Sequence, residues 1–346
     1  MVEKTHLGND SKKVLRLWIH EVSRVFSDRL TTEEDQRALF GKLCLVARDK
    51  MREDLVGSLR PDFGAAAGDS SLMTSEILFT DILSKRAEIN EILPQEKAQL
   101  NSKLFKVHED FNSVSKKPLE IVLFKNAVVH LLRIYRIIKM PQGHAFLIGL
   151  GGTGRQSLTR LAAYLCDQAL VDVETSKNYH EEQWREQLKS VIMKAGQDGK
   201  SCVLLLPDSK IKGSFMLDDI NNLLNSGDVP NLFLADEKMK IEESLRATAK
   251  RAGKVSLYSS DNHQDFEDYF IERTKSHLHI ILAMSPIGGA LRDRIRNFPS
   301  LANCCTIDWF NSWPDEALEA VCAKVLEDVD MQLDQRRKIS RACRIL

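Results

Sequence analysis

The residues with the clearest chemical potential run from Gly149 to Ser157, in the order GLGGTGRQS. They lie between a strand-like apolar run, HAFLIGL, and a helical pattern, RQSLTRLAAYL. Glycines let backbone N–H groups approach an anion closely, and the N-terminus of the following helix adds partial positive charge. The context therefore predicts a phosphate site, without saying which ligand carries the phosphate.

Three readings of the loop compete. As a P-loop, G-x-x-x-x-G-K-[ST], it keeps Gly149 and Gly154 with Gly151, Gly152 and Thr153 between them. Arg155 then stands in place of the lysine, and Gln156 in place of the Mg²⁺-binding hydroxyl. Ser157 comes one residue late, a rotation of about 100° on a helix. As a dinucleotide fingerprint, G-x-G-x-x-G, it matches at Gly149, Gly151 and Gly154, with Asp172 or Glu174 near the place of a ribose-binding acid. The third reading is a tight strand-to-helix turn that binds nothing.

Residues downstream favour the P-loop. CVLLLPD is an apolar strand ending in Asp208, the form of a Walker B strand whose acid holds Mg²⁺ through water. The next residue, Ser209, replaces the glutamate that would orient an attacking water. HLHIILAM is followed by Ser285, a polar residue placed to sense a γ-phosphate. LRDRIRNF carries Arg292, Arg294 and Arg296, which could serve a neighbour's nucleotide or coat a solvated helix face.

Strands alternating with helices predict a parallel sheet in an α/β domain. The expected layout is a helical region over 1–115, an α/β nucleotide-binding domain over 116–312, and the start of a helical lid over 313–346. In the helical region, Val14, Leu15, Trp18, Val22, Val25 and Phe26 fall at three- and four-residue steps and predict one buried face. Thr31 with Glu34 predicts a capping box, and the pattern PLEIVLFKNAVVHLLRIYRIIK predicts a helix ending before Pro141.

Composition narrows the function classes. Lys plus Arg and Asp plus Glu both total 49, so bulk charge gives no case for nucleic-acid or anionic-membrane binding. No apolar run reaches the ~20 residues of a membrane span, and MVEKTHLGNDSKK lacks the apolar core of a secretory signal. Seven cysteines without a C-x-x-C spacing point to reduced thiols in a cytosolic compartment. His277 and His279 alternate at the start of a strand-like run, where they are either weak candidate ligands or simply polar strand positions.

FLIGLGGTGRQSLTRLAAYL resembles the P-loop of the fourth AAA+ module of axonemal dynein heavy chains of the inner-arm type. INNLLNSGDVPNLFLADE, LAMSPIGGALRDRIRNFPSL and NCCTIDWFNSWPDEALEAV resemble later segments of that module, in the same order. LRLWIHEVSRVFSDRL resembles the helical end of the preceding module. The resemblance implies a P-loop AAA+ fold, a fragment of a microtubule motor, and ATP or ADP as ligand with Mg²⁺ as a candidate companion. It implies that Gly149 to Gly154 with Arg155 hold the phosphates, that Asp208 is the Walker B acid and Ser285 the sensor, and that Arg294 or Arg296 is the arginine finger. Partners would be neighbouring AAA+ modules of the same heavy chain and other dynein subunits, with microtubules reached only through parts outside this sequence. The location would be the cytoplasm and the cytoskeleton of the ciliary axoneme. The module would hold nucleotide in a regulatory or structural role with little or no hydrolysis. The rivals are an NAD(P)-binding oxidoreductase domain and a nucleotide-free ring spacer.

Overall fold

A computed structural model describes residues 10–63, 77–84, 88–175, 179–251, 263–311 and 313–326, with a few isolated positions beyond. The chain divides into two compact units, 1–136 with 312–346, and 137–311.

The first unit begins with α1 (Ser11–Val25), whose first turn is capped by the Asp10 carboxylate accepting from Lys12 N at 3.0 Å. Helix α2 (Glu33–Val46) is capped by Thr32, whose Oγ1 accepts from Asp35 N at 3.2 Å. The cap thus falls one residue after the predicted Thr31, because Thr32 takes the extended backbone an N-cap needs. Helix α3 (Leu55–Phe63), a two-stranded antiparallel hairpin of β1 (Phe79–Thr80) and β2 (Asn90–Glu91), and α4 (Lys97–Val114) follow. Helix α5 (Lys125–Lys139) starts later than its sequence pattern predicts. Pro118 and the β-branched Ile121 and Val122 leave the segment before it without helical structure.

The buried face of α1 matches the predicted one at Leu15, Trp18 and Val22 and departs from it elsewhere. Leu15 and Ile19 pack with Phe40, Leu43, Leu55 and Leu59, but Val14, Val25 and Phe26 are exposed. In their stead α1 buries His20 and Arg24. These join a polar network in which Arg136 pairs with Glu21, Arg24 with Asp28, and Tyr135 Oη donates to Asp81 at 2.7 Å. Burial lowers His20 to about 4, so its ring is neutral at pH 7 and costs less to enclose.

The second unit is built on a five-stranded parallel sheet of β3 (Ala145–Gly149), β4 (Ala169–Asp172), β5 (Cys202–Pro207), β6 (Leu278–Met284) and β7 (Thr306–Phe310). Helices α6 (Arg155–Leu165), α7 (Glu181–Gly196), α8 (Ser214–Ser226), α9 (Ala235–Arg251), α10 (His263–His277), α11 (Ala290–Asn297) and α12 (Ser300–Asn303) connect the strands. The spatial order is β4-β5-β6-β3-β7. Every residue of β3, β5 and β6 is buried, which explains their unbroken apolar runs. Helix α13 (Asp315–Val325) returns the chain to the first unit.

The two histidines singled out in the sequence do not share a strand. His277 ends α10 and its Nδ1 bonds the carbonyl of Arg273 at 2.8 Å. His279 lies in β6 with Nδ1 on the Gly143 carbonyl at 2.9 Å. No cluster of metal-ligating side chains occurs among the described residues, and no helix among them is long and apolar enough to cross a membrane.

Candidate functional site

In a parallel sheet all strands end at one edge, and ligands of open α/β sheets bind there. The ends of β3, β5 and β6 bring together most of the residues singled out above. Pairing of Ile148 with Met284 and of Pro207 with Ala283 sets Gly149, Asp208 and Ser285 on adjoining strand ends.

The loop leaves β3 at Gly149 and enters α6 at Arg155. Gly152 and Gly154 have φ of +83° and +89°, a region that side chains disfavour. Thr153 ties the turn by donating Oγ1–H to the Leu150 carbonyl at 2.8 Å. A Cβ added at Gly151 or Gly152 would meet nothing within 4 Å, so the loop presents bare backbone to open space. The first N–H groups of α6 have no partner within the helix, as at any helix start. Bare backbone, orphan N–H groups and a helix dipole fit the phosphates of a nucleotide.

Gly149 has a different duty. A Cβ there would stand 2.6 Å from Phe310 Cβ and 2.8 Å from the Phe310 carbonyl, where β3 pairs with β7. Gly149→Ala is therefore expected to destabilise the second unit by about 1–3 kcal/mol through overpacking. Faster hydrogen exchange at β3 and β6 would report it; unchanged exchange would show that β3 and β7 tolerate a wider spacing.

Arg155 turns back toward the strand ends. One guanidinium N–H donates to the Met284 carbonyl, and another donates to the Leu150 carbonyl at 3.0 Å. It thereby staples the loop to the end of β6. Burial draws its pKa down while the charge of Asp208 acts in the opposite direction. Gln156 is exposed and Ser157 half-buried, on different sides of the first turn of α6.

Asp208 is held from two sides. Arg294, on α11, donates to Oδ1, and the backbone N–H of Ser285 donates to Oδ2 at 3.3 Å. Arg294 also lies 3.8 Å from Met284 Sδ. Of the three arginines on α11, only Arg294 is drawn inward, while Arg292 and Arg296 are exposed. The alternation of the three had left their directions open, and no sequence signal identified Asp208 as the partner of Arg294. Ser209, in the short 3₁₀ turn Asp208–Lys210, is exposed and brings no carboxylate to the site.

Strand order separates the P-loop reading from the dinucleotide one. In a dinucleotide fold the acid-bearing second strand lies beside the glycine-loop strand. Here β3 is flanked by β6 and β7, and β4 is the far edge strand with β5 and β6 intervening. Asp172 instead receives Arg160 of α6 at 3.1 Å, and Glu174 is exposed. Two cavities, of about 220 and 260 Å³, lie away from the loop. The first includes His144 and Leu278, at the opposite end of the strands. The second is lined by Phe233, Ile241, Phe266 and Phe270.

A family model described as the P-loop containing dynein motor region D4 matches residues 119–346. The chain is 40% identical over 352 residues to dynein axonemal heavy chain 3 of Homo sapiens, covering 98% of this chain and 8% of that protein. It is 38% identical to dynein axonemal heavy chain 1 of Rattus norvegicus, covering 92% of this chain and 7% of the relative. Identity is 34% to the dynein-1-beta heavy chain, flagellar inner arm I1 complex, of Chlamydomonas reinhardtii, over 93% of this chain and 7% of the relative. The chain thus spans less than a tenth of the length of these relatives.

Proposed function

The chain belongs to the dynein heavy chain family and carries the D4 region of the motor, and on that premise we propose that it binds ADP or ATP at Gly149–Ser157 and holds it in a regulatory or structural role. The observation that supports this most is the bare glycine loop entering α6 beside Asp208 and Ser285 at the shared edge of three strands. The site would belong to an axonemal heavy chain of a ciliary microtubule motor, working with neighbouring AAA+ modules of the same polypeptide. The names of its relatives motivate that setting. Arg296, exposed on α11, is the arginine available to reach a neighbouring module's nucleotide, since Arg294 faces Asp208. The ring-spacer alternative would need the positive-φ glycines for the turn alone, and does not call for an open backbone at the sheet edge.

Arg155→Ala is the variant that tests the assignment. It removes a charged donor next to the phosphates and the staple between the loop and β6. Hydrogen bonds to charged groups contribute about 1.5–3 kcal/mol, so ADP affinity is expected to fall by roughly tenfold or more. Fluorescent-nucleotide titration measures it. Equal affinity in parent and variant would remove Arg155 from the site, and no saturable ADP binding by the parent would return the spacer alternative.

A further inference from the structure

The donor set around Asp208 does not fit a magnesium ion. Mg²⁺ asks for near-octahedral oxygen ligands at about 2.0–2.1 Å, usually one or two carboxylates with waters and substrate phosphates. Both oxygens of Asp208 already accept hydrogen bonds, Oδ1 from Arg294 and Oδ2 from Ser285 N–H. The position that would supply a hydroxyl is Gln156, and Ser157 lies on another face of α6. The guanidinium of Arg155, on the carbonyls of Leu150 and Met284, is near enough to Asp208 for the two charges to interact. Two fixed cations thus attend one carboxylate. A dication placed beside Asp208 would stand against both guanidinium charges.

We infer that this site takes the phosphates of a free nucleoside di- or triphosphate without a divalent cation. Arg294 supplies the counter-charge to Asp208 in cis, and with Arg155 it provides the positive field that a metal would otherwise bring. This rests on the nucleotide-binding assignment above.

The test measures ADP and ATP affinity of the intact chain in excess MgCl₂ and in EDTA, for the parent, Arg294→Ala and Arg294→Lys. The parent is expected to bind with affinities within about threefold of each other in the two media, a difference under ~1 kcal/mol. Arg294→Ala frees Oδ1 of Asp208. It is expected to bind about tenfold more weakly in EDTA and to regain affinity with Mg²⁺. Arg294→Lys keeps the charge and is expected to fall between. An increase of tenfold or more in the parent's ATP affinity on adding Mg²⁺ would overturn the inference, as would an Arg294→Ala variant indistinguishable from the parent in EDTA. Absence of any binding by the parent in either medium is a separate outcome, which removes the nucleotide assignment itself and this inference with it.

Discussion

Purified chain is expected to release phosphate from ATP at no more than about 10⁻² s⁻¹, against ~1–10³ s⁻¹ for ordinary enzymes. Three features of the site lead there. Ser209 stands where a carboxylate would orient the attacking water, and a neutral hydroxyl is a poor proton acceptor at pH 7. Asp208 is engaged by Arg294 and Ser285, so it is not free to organise the transferring phosphoryl group. An arginine finger for this nucleotide would have to be contributed by an adjacent module, and such a contribution is worth ~10³–10⁵ in rate. These losses need not multiply, because residues that act as a unit are non-additive; one of them is enough to reach the expected ceiling. Phosphate release would be measured beside an Asp208→Asn variant, which separates the site's own turnover from a contaminant. Turnover near one per second that disappears in that variant would show a catalytically complete site.

Trp184→Ala is expected to be the most destabilising single change. Trp184, on α7, is fully buried in the core of the second unit, and its Nε1–H donates to the buried Asp219 carboxylate at 3.0 Å. Truncating a buried tryptophan costs about 3–5 kcal/mol. The variant also strips a donor from Asp219, whose pKa burial raises while Arg185 and Trp184 pull it down. An unsatisfied buried acceptor adds about 1–3 kcal/mol, only partly additive in so close a pair. A loss of at least about 4 kcal/mol rivals the ~5–15 kcal/mol of whole-domain stability. Two compact units need not unfold together, so the measurement is hydrogen exchange at β5 and β6, which report the second unit. Trp184→Phe keeps a six-membered aromatic ring but loses the pyrrole part of the indole and the hydrogen bond, and is expected to recover only part of the loss. Unchanged exchange in Trp184→Ala would mean that the ring is not part of this core.

The site was legible where chemistry and local backbone coincide. A glycine run between an apolar strand and a helix has few other uses, and CVLLLPD showed its acid through an uninterrupted buried strand. The pairing of Arg294 with Asp208 was not legible, because it spans 86 positions and depends on which face of α11 meets the sheet. Strand order was equally hidden. Asp172 lies at the right sequence distance for a ribose acid, and the insertion of β5 and β6 between β4 and β3 removes it. In α10, Phe266, Tyr269, Phe270 and Thr274 do follow a helical step, yet dense charge between them obscured the pattern. The α1 face was legible at Leu15, Trp18 and Val22 but not at its buried polar positions, for another reason. Hydrophobic spacing cannot foresee that Arg136 will pair with Glu21 and let charged residues take buried positions.

The most direct test of nucleotide binding at the glycine loop is a calorimetric titration of the intact chain with ADP and, separately, with NADH. One saturable ADP site per chain is expected, lost or much weakened in Gly154→Val, where a β-branched side chain must adopt a φ of +89°. NADH is expected to show no saturable isotherm, and Asp172→Ala to leave ADP binding untouched, because Asp172 lies on the edge strand with Arg160. A clear NADH isotherm that competes with ADP and weakens in Asp172→Ala would contradict the account.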